Sequence, residues 1–244
     1  MSSVGGVGGG WGRVGLTGRG VVRRLGGVAV VDGVDLRVRP GRVTALVGPN
    51  GAGKSVLLDC LSGVARPDGG RILLDGRDVT RTPCHRRARL GLARTFQQVA
   101  SFPELTVAEN VRVGAEQHHG AADVPARVAG ALRLLGLTAL AHRPADGLPL
   151  GVLRLVELAR ALAGAPRVLL VDEVSVGLDA AQVAWVARVL ALVAREGAGV
   201  LLVEHDLGLV GRLAASAYVL DAGRVVAAGP SERVLADDRV RRLW

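Results

Sequence analysis

Arg42-Val43-Thr44-Ala45-Leu46-Val47-Gly48-Pro49-Asn50-Gly51-Ala52-Gly53-Lys54-Ser55 is the stretch on which the fold turns. Residues 42–47 read as a buried strand. Residues 48–55 match G-x-x-x-x-G-K-[ST], and Lys54 to Leu61 read as a helix. In a strand–loop–helix of this kind the glycines let backbone N–H groups turn inward around phosphate oxygens. The positive end of the following helix faces the same anion. The residue types then assign themselves: Lys54 reaches the β- and γ-phosphates and the Ser55 hydroxyl ligates magnesium. Gly48, Pro49, Asn50, Gly51, Ala52, Gly53, Lys54, Ser55 and Val56 are therefore the candidate nucleotide-binding residues. Composition singles out the same position. Among 31 Lys and Arg residues, Lys54 is the single lysine. A compact ammonium on a flexible stem is not replaceable by a planar guanidinium where space is tight.

Magnesium also needs a carboxylate. Val168-Leu169-Leu170-Val171-Asp172-Glu173 is an apolar strand that delivers two acids at its end. Asp172 is expected to hold the metal through water, because magnesium dehydrates reluctantly. Glu173 is then free to polarise a water for in-line attack on a γ-phosphate. Farther along, Gly199 to Val203 repeats the apolar-strand pattern before Glu204-His205. Ahead of the phosphate loop, Val28 to Val31 and Asp35 to Val38 read as short β-segments; after it, Ile72 to Leu74 reads as a strand and Asp75-Gly76 as a turn. Residues from about Val99 to Arg154 are richer in helix formers and read as an inserted helical subdomain. Arg154 to Ala163 reads as a helix with a core-facing stripe of Leu155, Leu158, Ala159 and Leu162. Strands alternating with helices predict an α/β fold around a mainly parallel sheet. The expected division is a flexible Gly-rich segment over 1–12 and one domain over 13–244.

Bulk composition excludes several classes. Hydrophobic residues are 49% of the 244 and charged residues 22%, which argues against disorder. No apolar run approaches the roughly 18–20 residues needed to span a bilayer, and Met1 to Gly10 lacks the basic and apolar regions of a secretory signal. A cytoplasmic location is expected. Cys60 and Cys84 form no CxxC pattern, and His118-His119 reads as part of a solvated loop, so neither zinc nor a disulfide is expected. The net charge of +9 raises the question of nucleic acid, but the basic residues are scattered and aromatics are only 2%. No nucleic-acid partner is expected; attraction to an anionic membrane surface uses the same charge.

Three further segments resemble a known family. Ala93-Arg94-Thr95-Phe96-Gln97 places a glutamine after an apolar strand, Gly177-Leu178-Asp179 follows the acidic pair, and Glu204-His205-Asp206 follows another buried strand. Together they resemble the Q-loop, D-loop and switch histidine of the ABC ATPases, over the chain from about Val14 onward. Thr82 to Arg86, Arg89 to Gln97, Phe102 to Val111 and the ending Asp238-Arg239-Val240 look like those of branched-chain amino acid importers. The resemblance implies a P-loop NTPase (RecA-like) core with an antiparallel β subdomain and a helical insert, binding ATP and Mg2+. It implies that Gln97 contacts magnesium and attacking water, that His205 contacts the γ-phosphate, and that Asp179 lies at a dimer interface. The implied partners are membrane permease subunits and a second ABC ATPase, with this chain peripheral on the inner face of the membrane.

The chain also departs from that family. The signature segment, LSGGQ or a close variant, is expected just before the helix at Arg154, and here reads Leu148-Pro149-Leu150-Gly151-Val152. Pro149 has neither hydroxyl nor N–H, and Val152 has no side-chain hydrogen-bonding group. The adenine-stacking position is Leu25, which keeps apolar contact and loses ring stacking. The expectation is an asymmetric heterodimer, in which this chain keeps its own catalytic half and lends a damaged signature. A nucleotide-gated regulatory subunit with weak catalysis stands as the alternative. A non-transport ABC protein is disfavoured by the single P-loop.

Overall fold

The computed structural model describes residues 15–96, 101–117, 120 and 122–243. Met1 to Gly12, Gln97, Val99 and His118-His119, all discussed above, lie outside the described residues. Among the described residues the strands form two sheets. A six-stranded sheet has the order β10-β9-β3-β8-β7-β6, built from β3 (Val43–Val47), β6 (Leu92–Arg94), β7 (Val168–Asp172), β8 (Gly199–Val203), β9 (Ser216–Asp221) and β10 (Arg224–Pro230). All its pairs are parallel except β9 with β10. A four-stranded antiparallel sheet has the order β2-β1-β4-β5, from β1 (Leu16–Leu25), β2 (Val28–Val38), β4 (Gly69–Leu74) and β5 (Arg77–Asp78). The two short segments expected over 28–38 are one strand. Gly33, at φ 69°, sits at a register shift that β2 absorbs without breaking its pairing.

Every residue of β3, β7 and β8 is buried, as a parallel strand covered on both faces requires. Side-chain alternation divides them between two apolar clusters. Leu169 and Val171 of β7 and Val200 and Leu202 of β8 join the cluster that holds the helices after residue 106. Val168, Leu170, Leu201 and Val203 join the opposite cluster, with the antiparallel sheet and Leu57, Leu58 and Leu61 of α1 (Lys54–Ser62). This parity matters for the site. Asp172 continues the series 168, 170 and so falls on the α1 side of the sheet.

On the other face, α3 (Val107–Glu116) and α4 (Val124–Leu134) pack on α5 (Leu150–Ala163), and α5 and α6 (Ala180–Arg195) carry the same apolar cluster onto the sheet. α3 opens on a capping box between Thr106 and Glu109. Buried Asn110 shapes the turn before it, accepting from the Phe102 N–H and donating to the Phe102, Leu105 and Thr106 carbonyls. α5 begins at Leu150, four residues before the start expected at Arg154. Pro149 caps it and its carbonyl accepts from Leu153 N–H, so the missing proline donor falls where a helix has no use for one. Leu150, Gly151 and Val152 are thus the first turn of α5 rather than a loop preceding it. α2 (Cys84–Arg89), α7 (Leu207–Leu213), α8 (Ser231–Ala236) and α9 (Asp238–Arg241) complete the chain.

Candidate functional site

The loop between β3 and α1 is walled by backbone. A Cβ on Gly48, at φ 154°, would lie 2.1 Å from the Leu220 carbonyl oxygen, and one on Gly53, at φ 100°, would lie 2.4 Å from that of Val30. Both positions therefore admit glycine alone. Lys54 is buried, and its Nζ donates to the carbonyls of Gly48 at 2.7 Å and Pro49 at 2.9 Å. Burial pulls its pKa down, with Glu173 and Asp172 opposing in that order. Arg94, bonded both to Asp59 on α1 and to Asp172, ties the end of β7 to the helix that follows the loop. Ser55 is exposed in the first turn of α1, Val56 is half-buried, and Asn50 and Gly51 are exposed at the loop's crown.

Asp172 is 1% exposed at the end of β7. Its N–H donates to Thr95 Oγ1 at 3.0 Å, and its Oδ2 accepts from Arg94 Nη2 at 3.4 Å. Its Oδ1 is buried and has no hydrogen-bond partner. Burial raises its pKa, opposed first by Arg94. A buried carboxylate with one orphaned oxygen is a fitting donor for a hard divalent cation. Among the described residues no trio of His, Cys, Asp and Glu could hold a metal by itself. The chain thus offers few ligands, which suits Mg2+ completed by water and nucleotide phosphates.

Glu173 follows in a left-handed backbone conformation, φ 48°, rare for a residue with a Cβ. Its N–H donates to Val203 O at 3.0 Å, and its Oε1 lies 2.6 Å from His205 Nε2. The structure therefore brings together Lys54, Asp172, Glu173 and His205 around the phosphate loop. Leu25 is 47% exposed at the end of β1, opposite exposed Val28 across the Gly26-Gly27 turn. It offers an apolar surface on the hairpin whose Val30 carbonyl abuts Gly53.

Several residues went unassigned by sequence reasoning. Glu204 is 1% exposed and accepts from Ser175 N–H at 3.0 Å and Ser175 Oγ at 2.7 Å, holding the loop that follows Glu173. Burial raises its pKa, with the Ser175 bonds opposing. An acid beside a histidine at the end of an apolar strand was its visible signal. Phe96, the residue before Gln97, is held through its own backbone: its N–H donates to Glu157 Oε1 at 2.8 Å and its carbonyl accepts from Arg154 Nη1 at 2.6 Å. Asp179, expected at a dimer interface, caps α6 in a box with Gln182. The D-x-x-Q spacing announces that box.

The ABC transporter family profile matches residues 31–176. The chain is 35% identical to the high-affinity branched-chain amino acid transport ATP-binding protein BraF of Pseudomonas aeruginosa, over 88% of this chain and 91% of that one. It is 33% identical to LivG of Escherichia coli, a protein of the same description, over 94% and 96%. It is 40% identical to the ribose import ATP-binding protein RbsA 1 of Rubrobacter xylanophilus over 85% of its length, but spans only 42% of that longer protein. Among solved structures it matches a nucleotide-free ATP-binding cassette of an ABC transporter, with TM-score 0.84 and 28% identity over 94% of this chain and 98% of that one. It matches the ADP conformation of such a cassette at TM-score 0.83, with the same identity and coverage. With its phosphate loop, acidic pair and histidine on a P-loop NTPase sheet, the chain belongs to the ABC transporter ATP-binding family.

Proposed function

We propose that this chain is the ATP-hydrolysing subunit of an importer for branched-chain amino acids. It would work on the inner face of the membrane with permease subunits and a second ABC ATPase. The observation that carries the catalytic part is the 2.6 Å contact of Glu173 with His205 beside Lys54 and Asp172. In this reading the loop N–H groups and Lys54 bind the β- and γ-phosphates, and Leu25 covers the base. Glu173, oriented by His205, accepts the proton of the attacking water as its oxygen bonds to the γ-phosphorus. The bond from phosphorus to the β–γ bridging oxygen breaks, giving ADP and phosphate. Ser55, Asp172 and Gln97 would hold Mg2+, which neutralises phosphate charge when bound. Branched-chain amino acids as cargo are supported by two relatives matched along nearly their whole length; the ribose relative is matched over less than half of its own.

No helix among the described residues is long and apolar enough to cross a membrane, and in this reading permease subunits supply the path. A 410 Å³ groove lined by Val64, Phe96, Phe102, Ala161, Arg94 and Arg160 suits them. Its exposed Phe96 and Phe102 rings fit a short permease segment that carries apolar side chains. An asymmetric heterodimer has its own support in Pro149 and Val152, which leave the cap and first turn of α5 without side-chain donors. This chain would then hydrolyse at its own phosphate loop and lend a poor signature to its partner.

The test is Glu173→Gln in the assembled complex. Turnover should fall by about 10²–10⁴ while nucleotide stays bound. Activity near wild type would overturn the assignment. Uptake of leucine into vesicles carrying the complex, with ribose as the comparison, tests the cargo.

A further inference from the structure

One buried cation reaches the metal-facing carboxylate, and neither the phosphate loop nor the Glu173–His205 pair accounts for it. Arg94 ends β6, and its side chain is 8% exposed. Its Nη1 donates to Asp59 Oδ1 at 2.6 Å and Ser62 Oγ at 3.0 Å, both on α1, the helix that opens with Lys54. Its Nη2 donates to Asp172 Oδ2 at 3.4 Å on β7. One planar guanidinium therefore ties the helix of the phosphate loop to the strand that carries the acids. A lysine ammonium, a single point charge, cannot span two carboxylates in that way.

The consequence lies in what Arg94 leaves open. With the Asp172 N–H on Thr95 and Oδ2 on Arg94, the carboxylate is fixed at two points, and Oδ1 alone has no hydrogen-bond partner. A cation beside a metal ligand ordinarily weakens metal binding by repulsion. Here Asp59 stands closer to the guanidinium than Asp172 does, 2.6 Å against 3.4 Å, so two carboxylates share its charge. Asp172 is thus oriented by a cation whose charge Asp59 partly balances. We propose that Arg94 is a positioning residue for the divalent cation: anchored by Asp59, it holds the Asp172 carboxylate with Oδ1 open and so sets the Mg2+ affinity of the nucleotide site. The same guanidinium lies 5.1 Å from the centre of the Phe96 ring, so the Asp172 carboxylate is one side chain removed from the groove that Phe96 lines.

This inference rests on the nucleotide reading, and one titration separates the two. A non-hydrolysable fluorescent ATP analogue is titrated into wild-type protein, Arg94→Gln, Arg94→Lys and Asp59→Asn, first in EDTA and then at rising Mg2+. Supporting residues of metal ligands set metal affinity by about 10–100-fold. Arg94→Gln and Arg94→Lys should therefore raise the Mg2+ concentration for half-effect by about tenfold or more, with Mg2+-free affinity kept within about twofold. Asp59→Asn leaves Arg94 and Asp172 in place and un-neutralises the guanidinium; it should raise the half-effect concentration several-fold, and carries the test should the Arg94 variants fail to fold. An unchanged or lowered Mg2+ requirement in Arg94→Gln, or in Asp59→Asn where that variant stands alone, overturns the inference. An equal loss of Mg2+-free affinity would make Arg94 a purely structural strut and overturns it too. No binding by wild type in either condition would overturn the nucleotide reading itself.

Discussion

Glu204 offers a test in which stability and catalysis separate. Its carboxylate, 1% exposed, accepts two hydrogen bonds from Ser175, two residues beyond Glu173. Glu204→Ala strips both acceptors from a half-buried serine while removing a buried charge. Each buried donor left unmade costs about 1–3 kcal/mol, and Ser175 regains part of that from water. A net loss of about 1–3 kcal/mol follows, or roughly 2–10 °C in Tm for a chain of this length. The larger effect should fall on turnover, since the Ser175 anchor fixes the segment that carries Glu173 in its left-handed conformation. ATP affinity, set by the loop before α1, should change little. The assay is paired: nucleotide titration and steady-state hydrolysis on the same preparation. Equal loss of affinity and turnover would refute the latch.

Glu204→Gln keeps the shape and isolates the charge. Burial raises the Glu204 pKa above its ordinary 4.5, so the ionised form is penalised in the folded protein. The stability tied to its protonation is complete below pH 4.5 and is lost as pH rises through the raised folded value. Wild type should therefore gain stability relative to Glu204→Gln on acidification across that window. Asp172 shifts in the same direction, but it is present in both proteins and cancels in the difference. Thermal unfolding of the pair from pH 7 to pH 4 reads the slope. A slope of opposite sign would mean that the Ser175 bonds outweigh burial.

Three other perturbations test separate parts of the molecule. His205→Ala should lower turnover by about 10² or more with ATP affinity nearly unchanged, because it removes the partner of Glu173 rather than a loop contact; single-turnover hydrolysis measures it. Gly114→Ala would set a Cβ 1.9 Å from the Arg160 carbonyl oxygen where α3 meets α5. Overpacking of about 1–3 kcal/mol outweighs alanine's helix preference, and calorimetry should find a Tm lower by several degrees. Pro149→Ser with Val152→Gln restores a hydroxyl and an amide to the first turn of α5. One regained charge-assisted contact of about 1.5–3 kcal/mol should raise hydrolysis by this chain alone roughly tenfold or more.

What the amino-acid order discloses is local. Gly48 and Gly53, five residues apart, announce a loop that bends where a Cβ would strike backbone, and the lone Lys54 marks its end. The buried strands were legible because runs such as 168–171 have no other stable placement than a covered sheet. Illegible were the contacts that satisfy buried polar groups across long stretches of chain. Arg94 meets Asp172 across 78 positions and Glu204 meets Ser175 across 29, and no periodicity encodes such a meeting. α5 starts four residues before the expected Arg154 because Pro149 serves as its cap.

The acidic pair itself shows how far the local pattern reaches. Strand alternation sends Asp172 to the α1 side of the sheet and would send Glu173 to the opposite face. The chain leaves β7 at that point: Glu173 adopts φ 48° and its N–H crosses to Val203 O at the end of β8. Val203 ends β8 on the α1 side, and beyond it His205 meets Glu173 while Glu204 meets Ser175. Two consecutive acids therefore serve one site because the second abandons the strand geometry that positioned the first. The strain of that left-handed residue, about 1–3 kcal/mol, is held by the Val203 bond behind it and the Glu204–Ser175 latch ahead of it. That arrangement is why loosening the latch should disturb turnover before it disturbs binding.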